Sequence, residues 1–263
     1  MKKAVMWALA AVLGCAFAYC GWRYYTDAYL PNRQITDADR HQRELFARIR
    51  PHTENVAQTN ADSTPDAEIQ AEEDLPDPLA ELKAENDDTV GWLTIEGTNI
   101  DYPIVQAEDN GFYLQRGFDK QENYGLGCPF LDSRCKSLFS GLNSIVYAHH
   151  IKGNAAMFAD IAKYKDRTFM EKYPTGTLLT ADGMHDVRFF AYMTIPSTAP
   201  EYSIVTEEKE RDRYIDSIYK DANYTAQISC EELKDKDDPH LLLLSTCTYE
   251  YWEARGVLVG VIE

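Results

Sequence analysis

Three side chains far apart in the chain make up a set that can do covalent chemistry. Cys247 closes the run LLLLSTC, Arg255 follows eight positions later in WEARGVLVG, and His149 lies in SIVYAHH. An ordinary thiol has a pKa near ~8.5 and is only a few per cent thiolate at neutral pH, so Cys247 needs a base or cation beside it to act as a nucleophile. A histidine supplies the base. Arg255 stays charged at any ordinary pH and is no proton donor, but its five N–H groups suit a carbonyl and the negative oxygen that forms when a thiolate attacks it. Taken singly, each residue has a structural role open to it: a buried thiol as a small hydrophobe, a strand-end histidine, a surface arginine. Taken together they suggest acyl transfer.

Such groups need rigid mounts. Residues 241–244 are four consecutive leucines, apolar on both faces, as in a strand covered on both sides. SIVYAHH reads as a second strand that carries His149 and His150 to opposite faces, so only one of them can meet Cys247. Around these, VGWLTI, IDYPIV, GTLLTA, RFFAYMTI and GVLVGVIE are further β-rich runs punctuated by Gly, Asn, Asp and Pro. Seven or eight short strands imply a barrel or a sandwich. Helical spacing falls at 79–85, at 154–164 through Met157, Ile161 and Tyr164, and at 206–222, where Tyr214, Ile215, Ile218 and Tyr219 form an apolar face.

The domain so outlined begins near residue 78. Ahead of it, 51–77 is rich in Asn, Thr, Ala, Pro and acids and poor in large apolar residues, the composition of a linker or loosely ordered stalk. Residues 36–50 read as a polar helix starting at Thr36 and Asp37 and ending in Arg50, a spacer leading away from a membrane. Lys2 and Lys3 precede an uncharged stretch over 4–22, about the length that crosses the ~30 Å bilayer core once. The lysine pair sets the N-terminus inside and the rest outside. A cleaved signal peptide is the rival reading, disfavoured by the lack of a small-residue cleavage site; VLGC at 12–15 fits a lipoprotein box poorly because of Leu13. The expected division is an anchor over 1–27, an extracellular stalk over 28–77 and a catalytic domain over 78–263.

The net charge of −17 excludes a nucleic-acid partner of the usual kind, which needs clustered Lys and Arg. Of the six cysteines, Cys15 and Cys20 fall in the anchor, Cys230 has no assigned role, and Cys128 and Cys135 suit buried thiols more than a disulfide. No Cys/His spacing fits zinc and no loop fits an EF-hand, so neither a metal nor another cofactor is expected.

Several separated motifs together resemble the class B sortases, envelope transpeptidases of Gram-positive bacteria: NDDTVGWLTIEGTNIDYPIVQ at 86–106, SIVYAHH at 144–150, LLLLSTC at 241–247 and the arginine of EARGVLVG at 253–260. The order His, Cys, Arg is that family's order. The resemblance implies a mainly β fold, a sortase-type eight-stranded β-barrel with N-terminal helices and a long helix inserted between late strands. It implies Cys247 as the nucleophile that forms a thioester, His149 rather than His150 as general acid and base, and Arg255 steadying substrate and oxyanion. Ser245, on the same strand face as Cys247, would line the cleft. Some members carry an aspartate two residues after the cysteine; here Tyr249 stands there with Glu250 next, so no carboxylate is assigned to orient the histidine. The implied reaction cleaves an LPxTG or NPxTN sorting signal of a secreted protein after its Thr and passes the acyl group to an amine of a peptidoglycan precursor or a pilin. A hydrolytic cysteine endopeptidase and a non-catalytic, membrane-anchored binding module are the competing functions.

Overall fold

A computed structural model describes residues 2–51, 77–151 and 153–263. The acidic stretch expected to form a linker lies almost wholly outside the described residues. Nine strands make one sheet: β1 (Thr89–Thr94), β2 (Asp101–Val105), β3 (Phe130–Leu131), β4 (Asn143–Tyr147), β5 (Thr175–Thr180), β6 (Gly183–Pro196), β7 (Tyr224–Thr225), β8 (His240–Cys247) and β9 (Ala254–Ile262). Their order is β5-β1-β2-β3-β4-β8-β9-β6-β7, and β5 also pairs with β6, so eight strands close into a barrel with β7 appended to β6. β6 can serve three partners because it is 14 residues long and its register shifts between Phe189 and Ala191. A bulge of that kind bends a strand and increases its twist, which closure requires.

Alternation along the late strands divides the apolar residues into two clusters. Leu242, Leu244 and Leu258 point inward to join Val146, Phe189 and Tyr192 in the barrel core. Leu241, Leu243, Val257, Val259 and Val261 point outward, where α3 (Arg211–Asp221) covers them with Tyr214, Ile215 and Ile218, and α4 (Cys230–Lys234) with Leu233. This explains the run of leucines: both faces of β8 are buried. The inserted helix expected over 206–222 is thus present, but its first turn is a 3-10 turn at Glu208–Glu210. The helix expected over 154–164 is instead a 3-10 segment, Ala159–Lys165, following a turn in which Met157 has a φ of +54°. A residue in that conformation cannot continue an α-helix.

The N-terminal helices depart furthest from expectation. α1 (Lys2–Tyr24) passes through a π-helical turn (Tyr25–Tyr29) directly into α2 (Leu30–Ile49). α1 holds the stretch that, among the described residues, is long and apolar enough to cross a membrane, and Trp7, Phe17 and Trp22 project from it unpacked. Thr36 does not start a helix; it sits inside α2, where its hydroxyl donates to the Asn32 carbonyl at 2.8 Å. Nor is the second half of α2 a free spacer. Gln42, Phe46 and Ile49 are buried against the barrel, with the Phe46 ring edge-on to Trp92, Tyr102 and Phe118.

Candidate active site

Cys247 is the last residue of β8 and Arg255 the second of β9, and the two stand directly opposite each other on these antiparallel strands. The Thr248 N–H bonds to the Ala254 carbonyl at 3.0 Å, which makes 248/254 a hydrogen-bonded pair and 247/255 a non-hydrogen-bonded one. Pairs of that kind bring Cα atoms to about 4.5 Å and set their side chains side by side on one face of the sheet, closer than in a hydrogen-bonded pair. By strand parity that face is the outer one, continuing past the cluster covered by α3. Arg255 is half-buried, and its Nη1 donates to its neighbour Ala254's carbonyl at 3.2 Å. Among the described residues no carboxylate pairs with it.

β4 runs parallel to β8 with Tyr147 opposite Ser245, and the Ala148 N–H still bonds to the Ser245 carbonyl at 3.2 Å. Extending that register by two more residues carries His149 alongside Cys247. The strand itself stops at Tyr147, so His149 and His150 lie beyond it and their directions follow from local bonds rather than from strand alternation. Nε2 of His149 lies 2.8 Å from the Leu114 carbonyl. A carbonyl only accepts, so Nε2 carries the proton and Nδ1 is the free, basic nitrogen of the neutral ring. A backbone oxygen therefore orients this histidine. No hydrogen bond joins it to Cys247 among the described residues. His150 instead bonds the Cys247 carbonyl through Nδ1 at 3.1 Å and packs edge-on against Tyr249, whose hydroxyl donates to the His150 carbonyl at 2.7 Å. It braces the turn after Cys247. Glu250 in the same turn pairs with Lys165, far from serving either imidazole.

Ser245 does not line an open cleft. It is 1% exposed, because Tyr202 lies over it, with 2.8 Å between the two hydroxyl oxygens. Burial pushes the Tyr202 phenol up to about 12, so it stays protonated, and the charges of Arg255 and Cys247 both act on it. This residue has no signal in the sequence pattern. It is held by its stacking on Tyr147, by Arg134 donating to its carbonyl, and by Asn143, which ties down Ser203 and Val205 on either side of Ile204. Leu114, Glu122, Tyr124 and Gly127 were equally silent; they come from the long connection between β2 and β3, which has no periodicity to read. Gly127, with φ +71°, lies against the His149 ring: a Cβ there would meet the Tyr113 carbonyl at 2.8 Å and His149 Cδ2 at 3.0 Å.

The other thiols are differently placed. Cys128 is buried and desolvation holds its thiol far above the ordinary range; Cys135 is pushed up to about 11 by the same cause. Neither is in a disulfide. Among the described residues no group of three or more His, Cys, Asp or Glu side chains is placed to hold a metal ion.

No family model matches the sequence. Comparison with individual proteins is more informative. The chain is 31% identical over 252 residues to Sortase B of Listeria monocytogenes, covering 95% of this chain and 92% of that protein. Its fold matches the X-ray structure of Clostridium perfringens sortase B with a TM-score of 0.62 and 29% identity, over 69% of this chain and 97% of that one. It also matches a Streptococcus pyogenes class B sortase involved in pilus biogenesis, with a TM-score of 0.61 and 26% identity, over 70% of this chain and 96% of that one. With its closed eight-stranded barrel and a relative matched over nearly its full length, this chain belongs to the sortase B family of cysteine transpeptidases.

Proposed function

We propose that Cys247 is the nucleophile, His149 the general acid and base, and Arg255 the oxyanion and substrate clamp of a sorting transpeptidase. The observation that carries this reading is the cross-strand opposition of Cys247 and Arg255 on an outward face, with the free Nδ1 of His149 one strand away. Nδ1 takes the thiol proton as the sulfur attacks the carbonyl after the Thr of an LPxTG or NPxTN motif. The guanidinium, which no carboxylate pairs among the described residues, faces the oxygen that becomes negative. The imidazolium then protonates the leaving amine, and a thioester remains on Cys247. An amine of a peptidoglycan precursor or pilin resolves it. No metal or organic cofactor enters the scheme.

Residues 1–27 serve as a single-pass anchor in the cell membrane, 28–77 as the extracellular connection and 78–263 as the catalytic domain. Supporting this are the exposed apolar side chains of α1 and the lysines at its start. Anchoring suits the reaction, because a donor and an acceptor held at the same membrane face meet at raised effective concentration. The test is to incubate the full chain in detergent with both sorting peptides and an amine, following products by mass spectrometry. An amide-exchanged product supports the reading. Hydrolysis alone makes the protein a cysteine endopeptidase, and no turnover makes it a binding module. Cys247→Ala is expected to abolish product and Cys128→Ala to retain it; equal activity of the two variants overturns the site.

A further inference from the structure

We infer that the acceptor amine enters through a cavity walled in part by His149. The inference rests on the proposed transpeptidation and names where its second substrate binds. The cavity, about 440 Å³, is lined by Leu114, Gln115, Glu122, Tyr124, Gly125 and His149. Cys247, Arg255, Ser245 and Tyr202 take no part in it. His149 is thus the one proposed catalytic group that the hairpin side and this cavity share, and a two-substrate enzyme needs its base to meet both the thiol and the incoming nucleophile.

The chemistry of the lining selects a primary ammonium. Glu122 is exposed and, among the described residues, has no ion-pair partner. Arg116, its partner in an isolated β-bridge, is turned over the Phe112 ring at 4.6 Å. Lys120 is taken by Asp87 and Asp88. The Leu114 carbonyl, which accepts from His149 with one lone pair, has a second lone pair at the same wall. Tyr124 is 62% exposed and held at a φ of +60°, a conformation costly for a residue with a side chain and one that keeps its ring at the rim. A carboxylate, a carbonyl and an aromatic face are the three groups that bind an alkylammonium.

The ammonium releases one proton to solvent on reaching the cavity. As its nitrogen attacks the thioester carbon, neutral His149 takes the second proton, the C–N bond forms and the C–S bond breaks. The electron pair leaves with the sulfur, giving an amide and a Cys247 thiolate beside an imidazolium.

The experiment uses the full chain in detergent, a sorting peptide that forms the thioester, and triglycine or Nα-acetyl-lysine amide as acceptor. The quantity read is the ratio of aminolysis to hydrolysis product at sub-saturating amine, which depends only on events after the thioester. Glu122→Gln is expected to lower that ratio about fivefold, the factor for one solvated charge pair. Glu122→Asp should restore part of it, and hydroxylamine, uncharged at neutral pH, should show no change. An unaltered ratio with both ammonium acceptors, or an equal fall with hydroxylamine, overturns the inference. Absence of any thioester in the unsubstituted protein would instead overturn the proposed transpeptidation.

Discussion

Gly127 leaves the His149 ring the room that a side chain would take, since a Cβ there would come within 3.0 Å of Cδ2, and Gln42 of α2 fixes the Gly127 peptide by donating its side-chain amide to the Gly127 carbonyl at 3.1 Å. Asn123 donates to the same oxygen at 3.0 Å. Gly127→Ala must therefore displace either backbone or imidazole, and it also places a side chain at positive φ. A stability loss of about 1–3 kcal/mol is expected. Thioester formation should fall further than that loss explains, because the ring is moved. Thermal unfolding and acylation rate, measured together, check this; normal acylation in a destabilised variant would separate Gly127 from the site.

Arg255→Lys keeps the charge and loses the planar fork. If the guanidinium clamps carbonyl and oxyanion, kcat/KM for the sorting peptide should fall by about a hundredfold or more. Steady-state kinetics on the variant decide it, and near-normal turnover would remove Arg255 from the oxyanion role.

Phe46→Ala tests whether α2 belongs to the folded unit. The ring is buried among three aromatic side chains, so its removal should cost about 3–5 kcal/mol. Urea unfolding would show this as a lowered midpoint, and a chain begun at residue 78 should be destabilised at least as much. An unchanged midpoint for both would make α2 dispensable.

Asp132 gives stability a dependence on acid. Burial raises its pKa, but the hydrogen bonds and charge of Arg134 outweigh that and hold the carboxyl below its ordinary 3.8. A depressed folded-state pKa contributes stability that is present above the unfolded value and is lost as pH falls through the folded one. Arg134 is half-exposed, so the contribution is modest, about 1–2 kcal/mol. Asp132→Asn should be less stable by that amount at neutral pH, and the gap should close below about pH 4. A gap that persisted in acid would assign it to packing.

Strands with leucine, valine and aromatic runs were legible because their periodicity reports burial directly, and the Cys247–Arg255 opposition follows from two such runs joined by a short hairpin loop. β3 and β7, two residues each, are fixed by tertiary pairing and leave no pattern. In α2 the signal is masked by the charge around it: Ile35, Ala38, Gln42, Leu45, Phe46 and Ile49 keep helical spacing. The direction of His149 was not legible, since it depends on a carbonyl 35 residues earlier in an irregular connection. Ser245 shares the strand face of Cys247 as expected, yet the Tyr202 side chain that covers it comes from a loop no local rule places.

The unbroken passage from α1 through the π turn into α2 sets a ruler. From Tyr29 to Gln42 the helix climbs about 20 Å, at 1.5 Å per residue, before it docks on the loop that walls His149. With α1 embedded in lipid as proposed, the groove would stand at a fixed height above the headgroups. A client still tethered at the bilayer would then need about six extended residues between its own tether and its cleavage motif to reach. Spacer length would thereby screen clients independently of the motif they carry.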